Sequence, residues 1–390
     1  MTSTPSFDVA IIGGGVIGCA AAYFLRQQGV GRVCVIEPDP TYARAATPLA
    51  TGGCRRLFSC PENILMSMFS IDFYKQFARH VAVDGEAPDP GWKEQGYLFV
   101  VPAGHAAVLE SNCRIQSSLG VKVELLDQRG LRQRYPWMQC DDLALGVLSP
   151  EDGWLDPNSV LQGFRKKALA LGAVAVTDRV VDLYVTGRRV TELALASGVH
   201  LRADFVINAA GTWAASLAKL AGMDLPVNPM RRFEHYVEIE QALPPMPLLK
   251  DPARLVSRPE GRGYSVGLVD GREQRGFNFD VTPGYFEAVV WPALAARIPA
   301  FESLRLKREW AGLYDENELD GNMILGNWPG RLDNFYVACG FSGHGLMHAP
   351  AVGRALAERI VSGRDETIDL SRMGYQRVLD RAPYAETGIV

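Results

Sequence analysis

Three glycines and one carboxylate near the start of the sequence have the spacing of a nucleotide-binding turn. Residues 13–18 contain the pattern G-x-G-x-x-G at Gly13, Gly15 and Gly18. Such glycines let the backbone approach a pyrophosphate, and the helix that follows directs free N–H groups toward it. Glu37 lies 19 residues beyond Gly18, where a carboxylate can accept a hydrogen bond from a ribose hydroxyl. The pattern predicts a dinucleotide site.

The elements that must position this turn are predicted on both sides of it. Residues 7–12 form a short apolar run typical of a buried strand, and residues 19–28 have helical character. Residues 32–36 form a second strand that ends at Glu37. Together they predict a βαβ unit, which makes the glycine pattern much more specific than it would be alone.

Two more apolar strands run into turns of small residues. One occupies residues 205–208 and leads into residues 209–213, and the other occupies residues 335–339 and leads into residues 340–345. Three strand-to-helix turns at distant points predict one nucleotide-binding domain assembled from separate segments. The remaining pattern predicts further strands at 97–101, 173–176, 180–185, 190–196, 232–239 and 264–268, and helices at 61–81, 106–119, 158–171 (capped by Asp156), 285–297 and 351–362.

Composition excludes several classes of protein. The chain has 390 residues, 47% of them apolar, so a disordered protein is excluded and two domains are expected. Lys and Arg total 40 against 44 Asp and Glu, and no basic run is present, which argues against nucleic acid as the main partner. Seven cysteines without a C-x-x-C pair predict neither disulfides nor a metal site and favour a reducing compartment.

The uncharged segment at residues 9–25 is interpreted as the first strand and helix. Four glycines interrupt it and no Lys or Arg precedes Arg26, so it lacks the features of a signal peptide or a membrane span. The expected location is therefore cytoplasmic, with the periphery of the inner membrane as the alternative, and no transmembrane segment is expected.

The combined motifs resemble the FAD-dependent D-amino-acid oxidase superfamily, in the branch of sarcosine, glycine and dimethylglycine oxidases and D-amino-acid dehydrogenases. The matching segments are residues 11–18 with Glu37, 208–213, 310–314, 324–326 and 340–345, in the family's order. The resemblance implies an α/β plus α+β fold: a discontinuous Rossmann-like FAD-binding domain with a mixed or antiparallel-sheet substrate domain. The implied FAD-binding domain comprises residues 1–80, 145–225 and 318–390, and the substrate domain residues 81–144 and 226–317.

The resemblance also implies which residues bind FAD. They are Gly13, Gly15, Val16, Ile17, Gly18, Glu37, Gly52, Gly53, Val180, Ala210, Gly211, Trp213, Gly343, His344, Gly345, Leu346 and Met347. Two positions depart from family patterns. Gly312 stands where several sarcosine oxidases attach flavin through a cysteine, so the FAD is expected to be non-covalent. Met347 stands where those enzymes carry a lysine linked to oxygen activation, which favours a dehydrogenase over an oxidase.

Five side chains are the candidates for substrate chemistry. Arg55 lies in a loop that the resemblance places across the flavin, where a guanidinium suits a carboxylate or the reduced flavin. Tyr314 matches a position near the substrate carboxylate, and His344 and Met347 lie in the last glycine-rich turn and its helix. His235 lies on the alternating strand 232–239, and the sequence leaves open whether its face or that of Glu234 meets the substrate.

The expected reaction is oxidation of the C–N bond of an amino acid or an N-substituted amine to an imine, by hydride transfer to flavin. The electron acceptor is left open among oxygen, a quinone and an electron-transfer protein. Two alternatives remain open: oxidation of a 2-hydroxy acid or polyol phosphate on the same fold, and a flavoprotein assembly factor with little turnover.

Overall fold

Two eight-stranded sheets organise the chain in the computed structural model, which describes residues 4–241, 243–269 and 275–388. The parts of the predicted domains that fall at 1–3, 242, 270–274 and 389–390 lie outside these residues. The strands are β1 (Ser6–Ile12), β2 (Val33–Ile36), β3 (Gly53–Cys54), β4 (Tyr97–Val101), β5 (Glu124–Asp127), β6 (Leu145–Ser149), β7 (Gly153–Trp154), β8 (Val174–Val176), β9 (Val180–Thr186), β10 (Arg189–Leu195), β11 (His200–Asn208), β12 (Val227–Ile239), β13 (Leu248–Lys250), β14 (Leu255–Glu260), β15 (Gly263–Leu268), β16 (Leu304–Asn317), β17 (Ile324–Trp328) and β18 (Leu332–Cys339).

Helices connect and cover these strands. The α-helices are α1 (Val16–Gln27), α2 (Pro61–Lys75), α3 (Phe77–Val81), α4 (Ala103–Ser118), α5 (Gln128–Arg134), α6 (Pro157–Ala170), α7 (Ala214–Leu220), α8 (Trp291–Arg297), α9 (Gly345–Ser362) and α10 (Gln376–Leu379). Short 3₁₀ turns occur at Gly211–Trp213, Pro299–Ser303 and Ser371–Met373, and one π-helical turn occurs at Phe286–Val290.

The first sheet has the strand order β17-β18-β11-β1-β2-β8, with β9 and β10 attached beside β11. Strand β1 is parallel to β2 and β11, and β11 is parallel to β18. Alternate residues of β1 enter two different cores, Val9 and Ile11 on one side and Ala10 and Ile12 on the other. Burial on both faces explains why these strands are continuous apolar runs in the sequence. Their carboxyl ends meet at one edge of the sheet.

The second sheet has the order β16-β12-β15-β14-β13-β4-β6-β5 and is antiparallel except between β13 and β4. One face packs on the π-helical turn and α8 through residues such as Phe233, Phe286 and Leu294. The other face meets the loop before β3, where the Trp310 indole Nε1 donates to the Leu49 carbonyl at 3.1 Å. The first sheet's glycine-rich edge therefore lies beside one face of the second sheet.

The structure confirms the βαβ unit and most of the predicted elements. Strand β4 has the predicted bounds, and Asp156 caps α6 by accepting from the Ser159 N–H at 2.8 Å. The helix predicted at 351–362 begins earlier in the structure, at Gly345, and therefore contains Pro350. Proline removes a backbone donor, and the Tyr74 hydroxyl donates to the Leu346 carbonyl at 2.6 Å, which satisfies the carbonyl that Pro350 leaves free.

The predicted domain boundary at residue 145 coincides with the start of strand β6. Strand β6 pairs antiparallel with β4 and β5, so residues 145–149 belong to the second sheet rather than to the first. The short strand β7 then pairs with β3, and α6 packs against α1 beside the first sheet. We propose that the two domains follow the two sheets, with the chain returning to the first after β6.

Candidate functional site

A cavity of about 640 Å³ lies at the carboxyl-terminal edge of the parallel strands. This edge is where open α/β sheets bind nucleotides, because successive turns and helix N-termini converge there. The predicted cofactor residues that line the cavity are Gly13, Gly15, Val16, Ile17, Glu37, Val180, Ala210, Gly211, Trp213, Gly343, Gly345 and Leu346.

In the first glycine turn, an added side-chain carbon would find open space at Gly15 but not at Gly13 or Gly18. A Cβ on Gly13 would lie 2.5 Å from the Ala209 carbonyl oxygen, and one on Gly18 would lie 1.9 Å from the Gly13 carbonyl oxygen. A Cβ on Gly15 would meet only the Thr47 hydroxyl, at 3.8 Å. Gly13 and Gly18 therefore allow close packing of strand and helix, whereas Gly15 keeps the cavity open. Gly18 supports the turn and does not line the cavity.

Two helices begin at the cavity with no acidic residue in their first turns. Val16 and Ile17 of α1, and Gly345 and Leu346 of α9, line it directly. The free N–H groups and the dipole at such a terminus favour a phosphate. Thr47, which sequence reasoning missed, accepts from the Val16 N–H at 3.3 Å and so fixes the loop over α1.

Glu37 is held in place at the end of β2. Its two oxygens accept from the backbone N–H groups of Gly14 at 2.8 Å and Asp39 at 2.9 Å. Burial raises the pKa of this carboxyl, and the backbone hydrogen bonds oppose that rise. Each carboxylate oxygen keeps an unused lone pair, which suits it to accept from a ribose hydroxyl.

Strand β16 contributes Leu313, Tyr314 and Asp315 to the cavity wall. Tyr314 packs so closely on the third glycine turn that a Cβ on Gly343 would lie 2.5 Å from its ring. Asp315 accepts from the N–H groups of Gly340 at 2.8 Å and Phe341 at 3.2 Å, and burial raises its pKa to about 6. The second sheet therefore shapes the turn that precedes α9. Asp315 was missed from the sequence, because nothing local links it to residues 340–341.

Arg55 lies in the interior beside this end of the cavity, with a relative exposure of 2%. Its guanidinium donates to the Leu57 carbonyl at 2.9 Å and lies 3.0 Å from Nε2 of His344. Its Cζ is 4.2 Å from the ring centre of Phe58 and 5.0 Å from that of Phe99. Within the described residues, no carboxylate pairs with it, and burial lowers its pKa. Such a guanidinium is prepared to bind an anion.

His344 is neutral in this arrangement. A guanidinium can only donate, so Nε2 of His344 must accept and the ring proton is on Nδ1. Burial, followed by repulsion from Arg55, holds the pKa of His344 well below its ordinary value. His344 caps α9 and orients Arg55, although it does not itself line the large cavity.

The structure places four predicted site residues away from the cavity. His235 is on the far face of β12, where its ring centre is 5.0 Å from that of Phe286 and its Nδ1 donates to the Val266 carbonyl at 3.2 Å. Met347 is packed in the hydrophobic core, with a relative exposure of 5%. Gly52 and Gly53 instead permit close approach of other segments, since added Cβ atoms would lie 2.2 Å from the Leu155 oxygen and 2.8 Å from the Leu248 side chain.

A family model described as FAD dependent oxidoreductase (DAO) matches residues 8–359. The chain belongs to this family. Among its relatives, FAD-dependent oxidoreductase domain-containing protein 1 of Xenopus laevis is 38% identical over 427 residues, which cover 98% of this chain and 85% of that protein. Mitochondrial sarcosine dehydrogenase of Mus musculus is 26% identical over 380 residues, covering 92% of this chain and 40% of that protein.

Solved structures of the family have the same fold. L-proline dehydrogenase from P. horikoshii superposes with a TM-score of 0.88 at 23% identity, covering 98% of this chain and 100% of that one. The predicted FAD-binding fold and the family resemblance are thereby confirmed. The chain is an FAD-dependent oxidoreductase of the DAO family, and sarcosine dehydrogenase is among its relatives.

The residues around the cavity fit FAD. The open space at Gly15, the N-termini of α1 and α9, and the fixed Glu37 provide room, phosphate donors and a hydroxyl acceptor. All seven cysteines are free and buried, and none lines the cavity. The described part of the chain has no group of His, Cys, Asp or Glu able to hold a metal ion, and none of its helices is long and apolar enough to cross a membrane.

Proposed function

We propose that this protein oxidises the C–N bond of an amino acid, or of an N-substituted amino acid, to an imine. The observation that carries the proposal is Arg55, a buried guanidinium without a carboxylate partner in the described residues, next to the Tyr314 end of the cavity. A substrate carboxylate would neutralise this charge and would place the neighbouring carbon and nitrogen toward the cavity.

The surroundings of Arg55 are suited to an uncharged amine. The rings of Phe58, Tyr97 and Phe99 lie around the guanidinium, with centres at 4.2, 5.9 and 5.0 Å from its Cζ. The buried positive charge of Arg55 disfavours a second cation beside it, so the substrate nitrogen loses its proton to solvent on binding and its lone pair can form the C=N bond. When bound, FAD would supply the acceptor for the hydride that leaves carbon, which carries both electrons of the oxidation. Water then hydrolyses the imine to a carbonyl compound and an amine.

Relatives favour an amine over a hydroxy acid. Sarcosine dehydrogenase and L-proline dehydrogenase are both named for secondary amino acids. We further propose that FAD is bound without a covalent bond, because Gly312 faces Leu49 and no cysteine lines the cavity. We propose a dehydrogenase, since the position where oxidases of this branch carry a lysine is occupied by Met347, which is uncharged and packed in the hydrophobic core.

A turnover screen with an artificial electron acceptor tests the proposal. The purified FAD-loaded protein is mixed with a dye and with primary, N-methyl and cyclic amino acids, and in parallel with the matching 2-hydroxy acids. Dye reduction by amino acids alone is the expected result. Dye reduction by hydroxy acids alone would reassign the reaction to C–O oxidation, and no reduction by any compound would favour a flavoprotein without turnover.

A further inference from the structure

A lysine that sequence reasoning missed lies on the same side of the second sheet as Arg55. Strand β13 is three residues long, and its central residue Leu249 enters the core behind the sheet. Leu248 points the other way and approaches the loop at Gly53. Side chains alternate along a strand, so Lys250 shares the face of Leu248. Its Nζ lies 5.8 Å from the centre of the Phe99 ring.

Lys250 and Arg55 lie close to the same ring. The Arg55 Cζ is 5.0 Å from the centre of the Phe99 ring that Lys250 also approaches. Lys250 keeps some accessible surface although it lies deep within the protein. Burial, and then repulsion from Arg55, lowers the pKa of Lys250 to about 7.

The carboxylates on this face are already engaged. Glu234 accepts from the Thr51 hydroxyl at 3.0 Å and from the Ser265 hydroxyl. Glu316 lies 3.8 Å from Arg232, whose Cζ is over the Tyr314 ring. Lys250 has no hydrogen-bond acceptor or carboxylate partner among the described residues, and neither does Arg55 have a carboxylate.

Among the described residues, the charged or titratable groups that act on Lys250 are cationic or neutral. They come from the loop before α2, the turn after β13, strand β12 and the start of α9: Arg55, Arg254, Arg232 and His344. Burying two cations without an anion beside them costs free energy of folding. Two acidic groups would neutralise both cations, whereas a single carboxylate would leave Lys250 either unpaired or deprotonated.

We propose that Lys250 is a second anion-binding group of the substrate site, so that the preferred substrate is an amine carrying two acidic groups, one held by Arg55 and the other by Lys250. N-carboxymethyl amino acids and amino acids with an acidic side chain belong to this class. The inference rests on the proposed function and specifies its substrate. Lys250 selects the substrate and takes no part in the bond changes at carbon and nitrogen.

Matched substrate pairs test this subsite in the FAD-loaded protein. Iminodiacetate is compared with N-ethylglycine, and glutamate with norvaline, by the second-order rate constant for anaerobic flavin reduction. A charged hydrogen bond corresponds to about a 10- to 100-fold preference for the dicarboxylic member. Lys250→Met is expected to abolish that preference and to change the monocarboxylic rates by less than about threefold. Lys307→Met, which alters an exposed lysine of β16, is the matched control and keeps the preference.

A binding measurement separates this subsite from catalysis. Diglycolate, which has an ether oxygen in place of the amine, is titrated at pH 8 by calorimetry in buffers of different ionisation enthalpy, with ethoxyacetate as the monocarboxylate. Because burial and Arg55 lower the pKa of Lys250 to about 7, the dianion should draw protons into the wild type at pH 8 and none into Lys250→Met. Its affinity should fall as the pH rises above about 7.

The outcomes distinguish the two proposals. No flavin reduction by any amine overturns the proposed function, and this inference falls with it. Reduction by monocarboxylic amino acids without a preference for their dicarboxylic partners overturns the Lys250 subsite alone. Equal losses for both members of a pair in Lys250→Met would also overturn it, because a structural defect would affect both.

Discussion

Replacing Arg55 with methionine removes the charge that is proposed to hold the substrate carboxylate, while a flexible apolar chain of similar length fills much of its volume. The folded protein loses hydrogen bonds to the Leu57 carbonyl and to Nε2 of His344. Each hydrogen bond of this charged group is worth about 1.5–3 kcal/mol, so the variant should unfold more readily, although removing an unpaired buried charge offsets part of that loss. The FAD cavity should be little affected, since Arg55 does not line it.

The kinetic effect of Arg55→Met is separate from this loss of stability. A charged hydrogen bond contributes about 1.5–3 kcal/mol, which is about 10- to 100-fold in kcat/KM at about 1.4 kcal/mol per decade. The assay is anaerobic flavin reduction by an amino acid and by the same amine without its carboxylate, with thermal unfolding measured in parallel. The amino acid should lose the full factor and the plain amine much less.

A neighbouring arginine provides the control. Arg56 lies 3.3 Å from buried Asp152 on the other side of the loop, so Arg56→Lys keeps an ion pair and should leave the ratio of the two substrates unchanged. Equal losses for the amino acid and the plain amine in Arg55→Met would refute the reasoning and would assign Arg55 to the flavin or to the fold.

Four further predictions concern the cofactor and its reoxidation. Gly15→Val should reduce the FAD bound per chain without lowering the unfolding temperature of the apoprotein. Gly15 has an extended backbone, and a Cβ there would meet only Thr47. The control is Gly104→Ala on the surface of α4. Heat or acid should release FAD from the denatured chain, and yellow colour that stays with the precipitate would mean a covalent bond. Asp315→Ala should weaken FAD binding by about 5- to 100-fold, because the Gly340 and Phe341 N–H groups lose their acceptor, whereas Asp315→Asn should restore most of the affinity. Reduced protein should reoxidise slowly in air and faster with a dye or quinone in a stopped-flow measurement, and a fast reaction of the wild type with oxygen would contradict the proposed dehydrogenase.

Local signals were sufficient for the nucleotide-binding part of the fold. The turn at Gly13 to Gly18 needs only its own strand and helix, so a short stretch of sequence specifies it. The predicted start of α9 was too late in the sequence, after Pro350. The Tyr74 hydroxyl that compensates for this proline belongs to α2, far away in sequence, so no local pattern indicates that the helix continues through Pro350. Strand β16 was missed because charged side chains occupy most of its exposed half, residues 304–309, and leave little apolar alternation there.

The substrate side of the site depends on contacts that no local pattern reveals. Alternation separated His235 from Glu234 correctly, but only the packing of Phe286 decides that His235 faces away from the cavity. Lys250 occupies a buried strand beside apolar residues, and its meaning appears only when Arg55, 195 positions earlier, approaches the same ring. The sequence does contain one signal for it, a lone lysine after two leucines in a strand otherwise bounded by prolines.

The central claim is oxidation of a C–N bond by bound FAD, and a single anaerobic turnover tests it most directly. The FAD-loaded protein is mixed without any acceptor with one equivalent of an N-methyl or cyclic amino acid, and the flavin absorbance and the products are followed together. The account predicts loss of the yellow absorbance with one carbonyl product formed per flavin reduced, and slower bleaching when the carbon next to nitrogen carries deuterium. Absorbance that persists with every amine but disappears with a 2-hydroxy acid would contradict it.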